Sequence, residues 1–284
     1  MKPKYFDAHT HVQFAAYDDD REEVIKRSLE AEVWMLNVGT QYDTSKGAIE
    51  LAEKYDQLFA AVGLHPIHTE ASYHDAKELG GGEAAKAFTS RGEDFNYKNY
   101  KELALHPRVV AIGECGLDYY RLEEKTKDKQ KEALLKQITL AKETKRALMI
   151  HCRDAFPDLI ALFKEHQSEL PDPRGVIHFF SGTIDDAREL ANLGFGFTFG
   201  GVVTFTRDYD EVIKFLPIDR ILSETDAPYV TPMPHRGKRN ESSYIPFIVQ
   251  KLAEIKGVEV DFLASQILRN AGNIFKLSLS QQKD

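Results

Sequence analysis

Cysteine is scarce in this chain of 284 residues, which holds only Cys115 and Cys152. Two thiols make no disulfide framework, and a reducing, cytoplasmic setting is expected. Positive charge is not in excess either, since the formal net charge is −8. That argues against a long basic surface for duplex DNA, but leaves room for a nucleic-acid end in a small, locally cationic pocket. No apolar run approaches the length needed to span a bilayer. The start, Met1-Lys2-Pro3-Lys4, leads straight into a strand-like segment, so neither a signal peptide nor a membrane partner is expected. No G-x-G-x-x-G follows the first apolar run, which disfavours a dinucleotide-binding open sheet. No internal repeat at a solenoid period is present.

Hydrophobic residues, by contrast, make up 42% of the chain. Continuous apolar runs such as "VWMLNV" and "ALMIHC" read as strands buried on both faces, which belong to parallel sheets. Strands are predicted near 5–9, 33–38, 58–64, 109–113, 147–151, 175–179, 196–199 and 220–224. Helices are predicted between most of them, near 21–31, 44–55, 127–145, 157–166, 184–193 and 209–216, with two more near 245–255 and 260–269. In 127–145, Leu134, Ile138 and Ala141 fall on one face and the charges on the other. The pattern predicts an α/β protein, a single (β/α)8 TIM barrel spanning residues 1–284. A long polar segment between Pro66 and Pro107, with glycines at 80–82, predicts an insertion after strand three. Its aromatic residues Phe88, Phe95 and Tyr97 are candidates to pack on a base or on the rim, so that the segment restricts access to strand ends.

Barrel active sites form where strands end on their C-terminal side. His9 and His11 end the first strand in "FDAHTH", two residues apart and therefore on one face. His65 ends the third in "VGLHP", Glu114 the fourth in "AIGECGLDYYR", His151 the fifth in "MIHCRDA", His178 the sixth in "HFFSG" and Asp226 the last in "LSETDAPY". Five of the ten histidines thus stand on one rim with two acids, which packing alone does not explain. Imidazoles and carboxylates suit zinc or manganese, with magnesium the oxygen-seeking alternative. Glu114 is central by strand order and can bridge two cations. Such ions, roughly 3.5–4 Å apart, would acidify a bridging water whose proton Asp226 can receive as general base.

Several polar residues have two readings. His65 fits either a hydrogen-bonded structural role or contact with a phosphate oxygen. Arg153 either pairs with substrate phosphate or forms a salt bridge with Asp154 or Glu114, and the substrate role is favoured. "HRGKRN" (235–240) is the one dense cationic cluster, and its Arg236 is expected to bind substrate at the site mouth. Arg121 is a weaker candidate. Tyr119 and Tyr120 can stack on a base or simply pack. Cys115 and Cys152 each follow a candidate ligand, so strand alternation turns them away from any metal, as buried free thiols.

These motifs, in this order from about Phe6 to about Phe275, resemble the TatD family of metal-dependent hydrolases, often described as deoxyribonucleases. The resemblance implies two divalent ions, one held by His9, His11, Glu114 and Asp226 and the other by Glu114, His151 and His178. It also implies phosphodiester hydrolysis, as a 3′-5′ exonuclease on single-stranded DNA or on RNA, with nucleic acid as the partner and a monomer expected. Where the family reads "RNEP" this chain has serine at 242, so a less rigid loop is expected there. "HPIH" replaces "HPH", and the role of His68 is open. Two other functions compete: a metal-dependent amidohydrolase or esterase acting on a small C–N or ester substrate, and a non-catalytic binding protein on the same fold.

Overall fold

The computed structural model describes residues 2–71, 73–74, 88–89, 91–120 and 126–279, with only the backbone of 73, 74 and 88. Glycines 80–82, the ring of Phe88, and Arg121 lie outside the described residues. Among those described, eight parallel strands form one sheet: β1 (Tyr5–Thr10), β2 (Val33–Val38), β3 (Leu58–Val62), β4 (Val109–Asp118), β5 (Ala147–Arg153), β6 (Gly175–Ile177), β7 (Gly196–Phe199) and β8 (Ile221–Ser223). Between them run α1 (Arg21–Glu30), α2 (Tyr42–Lys54), α3 (Tyr97–Ala104), α4 (Thr126–Thr144), α5 (Phe156–Glu165), α6 (Ile184–Asn192) and α7 (Asp210–Phe215). Helices α8 (Ile245–Lys256) and α9 (Val260–Phe275) follow β8. This is the (β/α)8 barrel expected from the apolar runs.

The barrel closes where β8 meets β1, and the closure is unusual in its parts. A single bridge pairs Thr10 with Ala227, beyond the end of β8. The Asp226 amide donates to His9 O (2.9 Å) and the His11 amide to Ala227 O (2.9 Å). Side chains complete the seam. Ser223 Oγ donates to Phe6 O, and the buried Asp7 carboxylate accepts from the Thr225 amide and hydroxyl and from the His9 amide. The same hydrogen bonds therefore join the barrel's ends and fix the backbone at His9, His11 and Asp226.

Inside the barrel, Phe6, Leu36, Phe59, Met149, Val176 and Leu222 fill the lumen. Helix α9 covers the N-terminal end, where Phe275 lies 6.2 Å from Phe6, ring to ring. A larger core lies between strands and helices, and Leu134, Ile138 and Ala141 of α4 are fully buried in it, as their spacing predicted. Burying Leu134 and Ile138 contributes roughly 1.5–3 kcal/mol of transfer free energy each. With one end plugged, the C-terminal end is left open for chemistry. Among the described residues no helix is long and apolar enough to cross a membrane.

Strand β4 is longer than its predicted stretch, 109–113. Gly113 and Gly116 read as the end of a strand, yet pairing with β5 resumes after a register shift between Ile112 and Cys115 and runs to Asp118 opposite Arg153. At Gly116 (φ +149°) a Cβ would stand 1.9 Å from His151 O, so only glycine lets the two strands approach there. Helix α9 likewise continues to Phe275, past the predicted end at 269. Between β3 and β4, the returning limb docks through Glu93, which accepts from Tyr100 Oη at 2.7 Å. Phe95 stacks on Tyr100 (4.5 Å between centroids), and Tyr97 Oη donates to Glu143 of α4. Neither ring lines the open cavity; instead of the rim, Phe95 packs on α3 and Tyr97 bonds to α4.

Candidate metal centre

The open end of the barrel holds a cavity of about 1500 Å³. Glu114 stands at its floor, and its two carboxylate oxygens face two different sets of side chains. Oε2 lies 3.4 Å from His9 Nε2 and 3.9 Å from His11 Nε2. Asp226 Oδ1 lies 3.6 and 3.4 Å from the same two nitrogens, which are themselves 3.1 Å apart. Oε1 lies 3.2 Å from His65 Nε2, 3.1 Å from His151 Nδ1 and 3.1 Å from His178 Nε2. Of the six residues expected to hold metal, His9, His11, His151 and His178 thus surround the carboxylate of Glu114, and Asp226 joins them through His9 and His11.

Local irregularities aim these side chains. Phe6 and Ala8 point into the lumen, so strict alternation would send His9 to the helix side. A register shift between Asp7 and Thr10 turns His9 and His11 inward together. The shift in β4 does the same for Glu114, which follows the inward Ala111 at odd spacing. In β5 no such device is needed, because Ala147, Met149 and His151 alternate regularly.

The residues fit divalent cations on their own geometry. A tetrahedral site with bonds of about 2.1 Å has donor atoms about 3.4 Å apart. Among His9 Nε2, His11 Nε2, Glu114 Oε2 and Asp226 Oδ1, the two nitrogens lie 3.1 Å apart and each lies 3.4 to 3.9 Å from each of the two carboxylate oxygens. His11 Nδ1 lies 2.7 Å from Val38 O and so carries that ring's proton, which leaves the lone pair of His11 Nε2 free. Among the described residues buried His9 Nδ1 has no hydrogen-bond partner, and with the His9 proton there both Nε2 lone pairs can face one cation.

Charge balance in the cluster points the same way. Burial alone would raise the Glu114 carboxyl, but the imidazoles of His65, His178 and His9 hold it well below the ordinary carboxylate range. Burial likewise opposes ionisation of Asp226, but the hydrogen bond with His11 together with the charges of His178, His9 and His11 outweighs it, so its pKa is lowered. Burial lowers the pKa of His9 and of His65. Burial also opposes protonation of His151 and His178, but here carboxylates win. Asp118 and Glu114 push His151 up to about 9. Glu224 and Glu114 push His178 well above its usual value.

Asp118 and Glu224 stand behind two of the expected ligands, and the sequence reading passed over both. Asp118 Oδ2 is 2.9 Å from His151 Nε2, and Glu224 Oε2 is 3.2 Å from His178 Nδ1. Glu224 also accepts from the Phe179 amide (2.8 Å) and from Thr198 Oγ1. Carboxylates behind ligating imidazoles orient the ring and raise its basicity. Both stood in quoted motifs, "GLDYY" and "LSETD", but no single-strand rule says which histidine they reach. Two glutamines of α4, seven residues apart, act one layer further out. Gln137 exchanges two hydrogen bonds with the backbone of Leu64, next to His65 (2.9 and 3.0 Å), and Gln130 does so with Asp118 (2.8 and 2.9 Å).

The substrate-binding expectations divide. His65, expected at a phosphate, instead faces Glu114 beside His151 and joins the group with metal-ligand spacing. Its Nδ1 accepts from the Ile67 amide, which leaves Nε2 to the cluster. Buried His68 lies edge-on to it, 6.0 Å between centroids. Arg153 lines the cavity with its guanidinium 3.6 Å above the Tyr120 ring, and among the described residues no carboxylate pairs with it. Arg236 does not line the cavity; it lies over the Phe205 ring at 3.9 Å, outside the mouth, because the loop carries it past the rim. Lys238, two residues on, does line the cavity. Tyr119 is held by Asp158 (2.9 Å), away from the mouth. The loop at Ser242 is pinned, against expectation. Asn240 donates to Thr225 O and Tyr229 O, and Glu241 pairs with Arg27 at 2.6 Å. Cys115 and Cys152 are buried free thiols in the outer core, as alternation predicted, and burial pushes both thiols up.

Comparison with known proteins agrees with this geometry. The family described as TatD related DNase matches residues 6–276. A Bacillus subtilis (strain 168) protein named uncharacterized metal-dependent hydrolase YabD is 39% identical over 276 residues, covering 96% of this chain and 99% of its own. The 3'-5' ssDNA/RNA exonuclease TatD of Rahnella sp. (strain Y9602) is 33% identical, covering 96% and 98%. The crystal structure of YJJV, a TatD homolog from Escherichia coli K12, superposes with a TM-score of 0.82 at 26% identity, covering 98% of this chain and all of that one.

Proposed function

The chain belongs to the TatD-related DNase family of metal-dependent hydrolases, and from that premise we propose that it is a phosphodiesterase. Its proposed substrate is the 3′ end of single-stranded DNA or RNA, cut with two divalent cations held around Glu114. The observation that carries this reading is the division of one buried carboxylate between two donor sets, His9–His11–Asp226 on Oε2 and His65–His151–His178 on Oε1. Zinc or manganese suits so many imidazoles better than magnesium. When bound, such ions supply Lewis acidity and a water acidified enough to attack at neutral pH.

The chain's own residues do the rest. Asp226 receives the proton of the attacking water. It is ionised at neutral pH, and with one fifth of its side chain exposed it is the solvent-accessible acid of the cluster. Glu114, Asp118 and Glu224 are nearly or fully buried and are occupied by imidazoles. Arg153, flat against Tyr120, and Lys238 present positive charge to the cavity without a carboxylate partner among the described residues. They offset the chain's net negative charge where a phosphate would enter. The relative from Rahnella bears the name of a 3'-5' ssDNA/RNA exonuclease, which supports this substrate and polarity.

The test is a screen of metal-reconstituted protein against single strands of DNA and RNA labelled at either end, duplex DNA, and a panel of small esters and amides. Release of labelled mononucleotide from 3′-labelled single strands is expected. Turnover of esters or amides with no cleavage of any nucleic acid would overturn the proposal and favour the amidohydrolase reading.

A further inference from the structure

Arg236 sits outside the cavity, in a surface patch with its own composition. Its guanidinium covers one face of Phe205, which is 41% exposed. The neighbouring His235 stacks on Tyr244 (4.1 Å, 6° between planes) and meets Phe247 edge-on at 5.3 Å. Met233 and Phe247 are also exposed. The patch is one surface made by two loops, because the Met233 amide donates to Thr204 Oγ1 at 2.9 Å, tying the 233–247 stretch to the Gly201–Thr204 turn. It is continuous with the cavity, since Tyr244 and Lys238 line the cavity's edge. Exposed rings interleaved with cations suit a single-stranded polynucleotide, whose bases stack on the rings while its phosphates meet the charges.

We propose that Phe205, His235, Arg236 and Tyr244 form an outer subsite for the nucleotides upstream of the 3′ end, leading the strand from the surface into the cavity past Lys238. The inference rests on the nuclease reading and adds a binding determinant to it: strand length. Because the patch runs outward from the cavity's edge at Tyr244, a strand longer than the cavity holds occupies both, and a shorter one leaves Phe205 and Arg236 uncovered.

Equilibrium binding to EDTA-treated protein tests this without turnover. Fluorescence anisotropy is read with a labelled trinucleotide and a labelled twelve-nucleotide strand of the same base. Wild type should bind the longer strand at least about tenfold more tightly. The F205A/R236A double variant should bind it about fivefold to hundredfold more weakly, the range for losing a stacked base, so that the length preference disappears. R236E alone, at an exposed side chain, should weaken the longer strand and flatten its salt dependence by about one phosphate contact. An undiminished length preference in both variants overturns the subsite while leaving the cavity reading intact. Wild type that binds neither strand, yet hydrolyses small esters once reconstituted, overturns the nuclease reading and the subsite with it. A wild-type dimer that dissociates in the double variant assigns the patch to a second copy of the chain and also overturns the subsite.

Discussion

The two sides of Glu114 are built differently. On the Oε2 side, His9 and His11 come from one strand, Asp226 from its neighbour across the closure, and backbone hydrogen bonds of that closure fix all three. There the outer nitrogen of His11 meets a main-chain carbonyl, Val38 O at 2.7 Å, and that of His9 has no hydrogen-bond partner among the described residues. On the Oε1 side, His65, His151 and His178 come from the ends of three strands. The outer nitrogens of His151 and His178 there rest on buried carboxylates. One side is held by its backbone, the other by a second layer of charge. The difference teaches that the Oε1 side would offer a cation more basic imidazoles, while the Oε2 side leaves its carboxylate, Asp226, free to reach solvent and exchange protons.

Removing the group the two sides share is the hardest test of that comparison. Glu114→Ala should abolish both tight sites together and reduce hydrolysis to background. Elemental analysis of the purified variant should find no retained metal against about two ions in wild type. One full ion retained would mean that the sides do not depend on a common carboxylate.

Asp226→Asn separates the sides. It keeps the shape, loses the proton acceptor and weakens only the Oε2 set. Loss of a general base typically costs roughly 10²–10⁴-fold in rate, so kcat should fall by that order with a modest change in KM. Near-normal turnover in the metal-loaded variant would place the base on the other side of the site.

The smallest effect sharpens the comparison most. Asp118→Asn removes charge behind His151 and should weaken metal binding about 10- to 100-fold. Its signature lies in pH. With a folded pKa of about 9 against a usual 6.5, His151 stabilises the metal-free protein fully below about pH 6.5, and that contribution is lost as pH rises through about 9. Urea denaturation of EDTA-treated proteins should therefore show wild type more stable than the variant near pH 6, with the gap closing above pH 9. A gap of constant size would mean that Asp118 acts by packing rather than by charge.

Much of the fold was legible because its signals are local. A run such as "ALMIHC" declares a strand buried on both faces, and the spacing in "HTH" places two imidazoles on one face. The strand ends then collected His9, His11, Glu114, His151, His178 and Asp226 on one rim. What was illegible required a partner from elsewhere in the chain. His65 looked like a group for phosphate because nothing in "GLHP" reveals that Glu114 of the next strand stands 3.2 Å away. Arg236 looked like a rim residue because a charge cluster carries no information on where its loop turns.

By itself, then, the sequence determined the strand and helix pattern, the barrel class and the inventory of ligand-type side chains at the strand ends, because each follows from periodicity along one segment. Only the tertiary structure decided which oxygen of Glu114 each imidazole meets. It also decided which carboxylates stand behind His151 and His178, and that β1 and β4 slip register to turn His9 and Glu114 inward. The physical reason is that these contacts depend on strand register and on the closure of β8 against β1. Both are set jointly by hydrogen bonds and packing between segments far apart in the chain, such as Thr225 with Asp7.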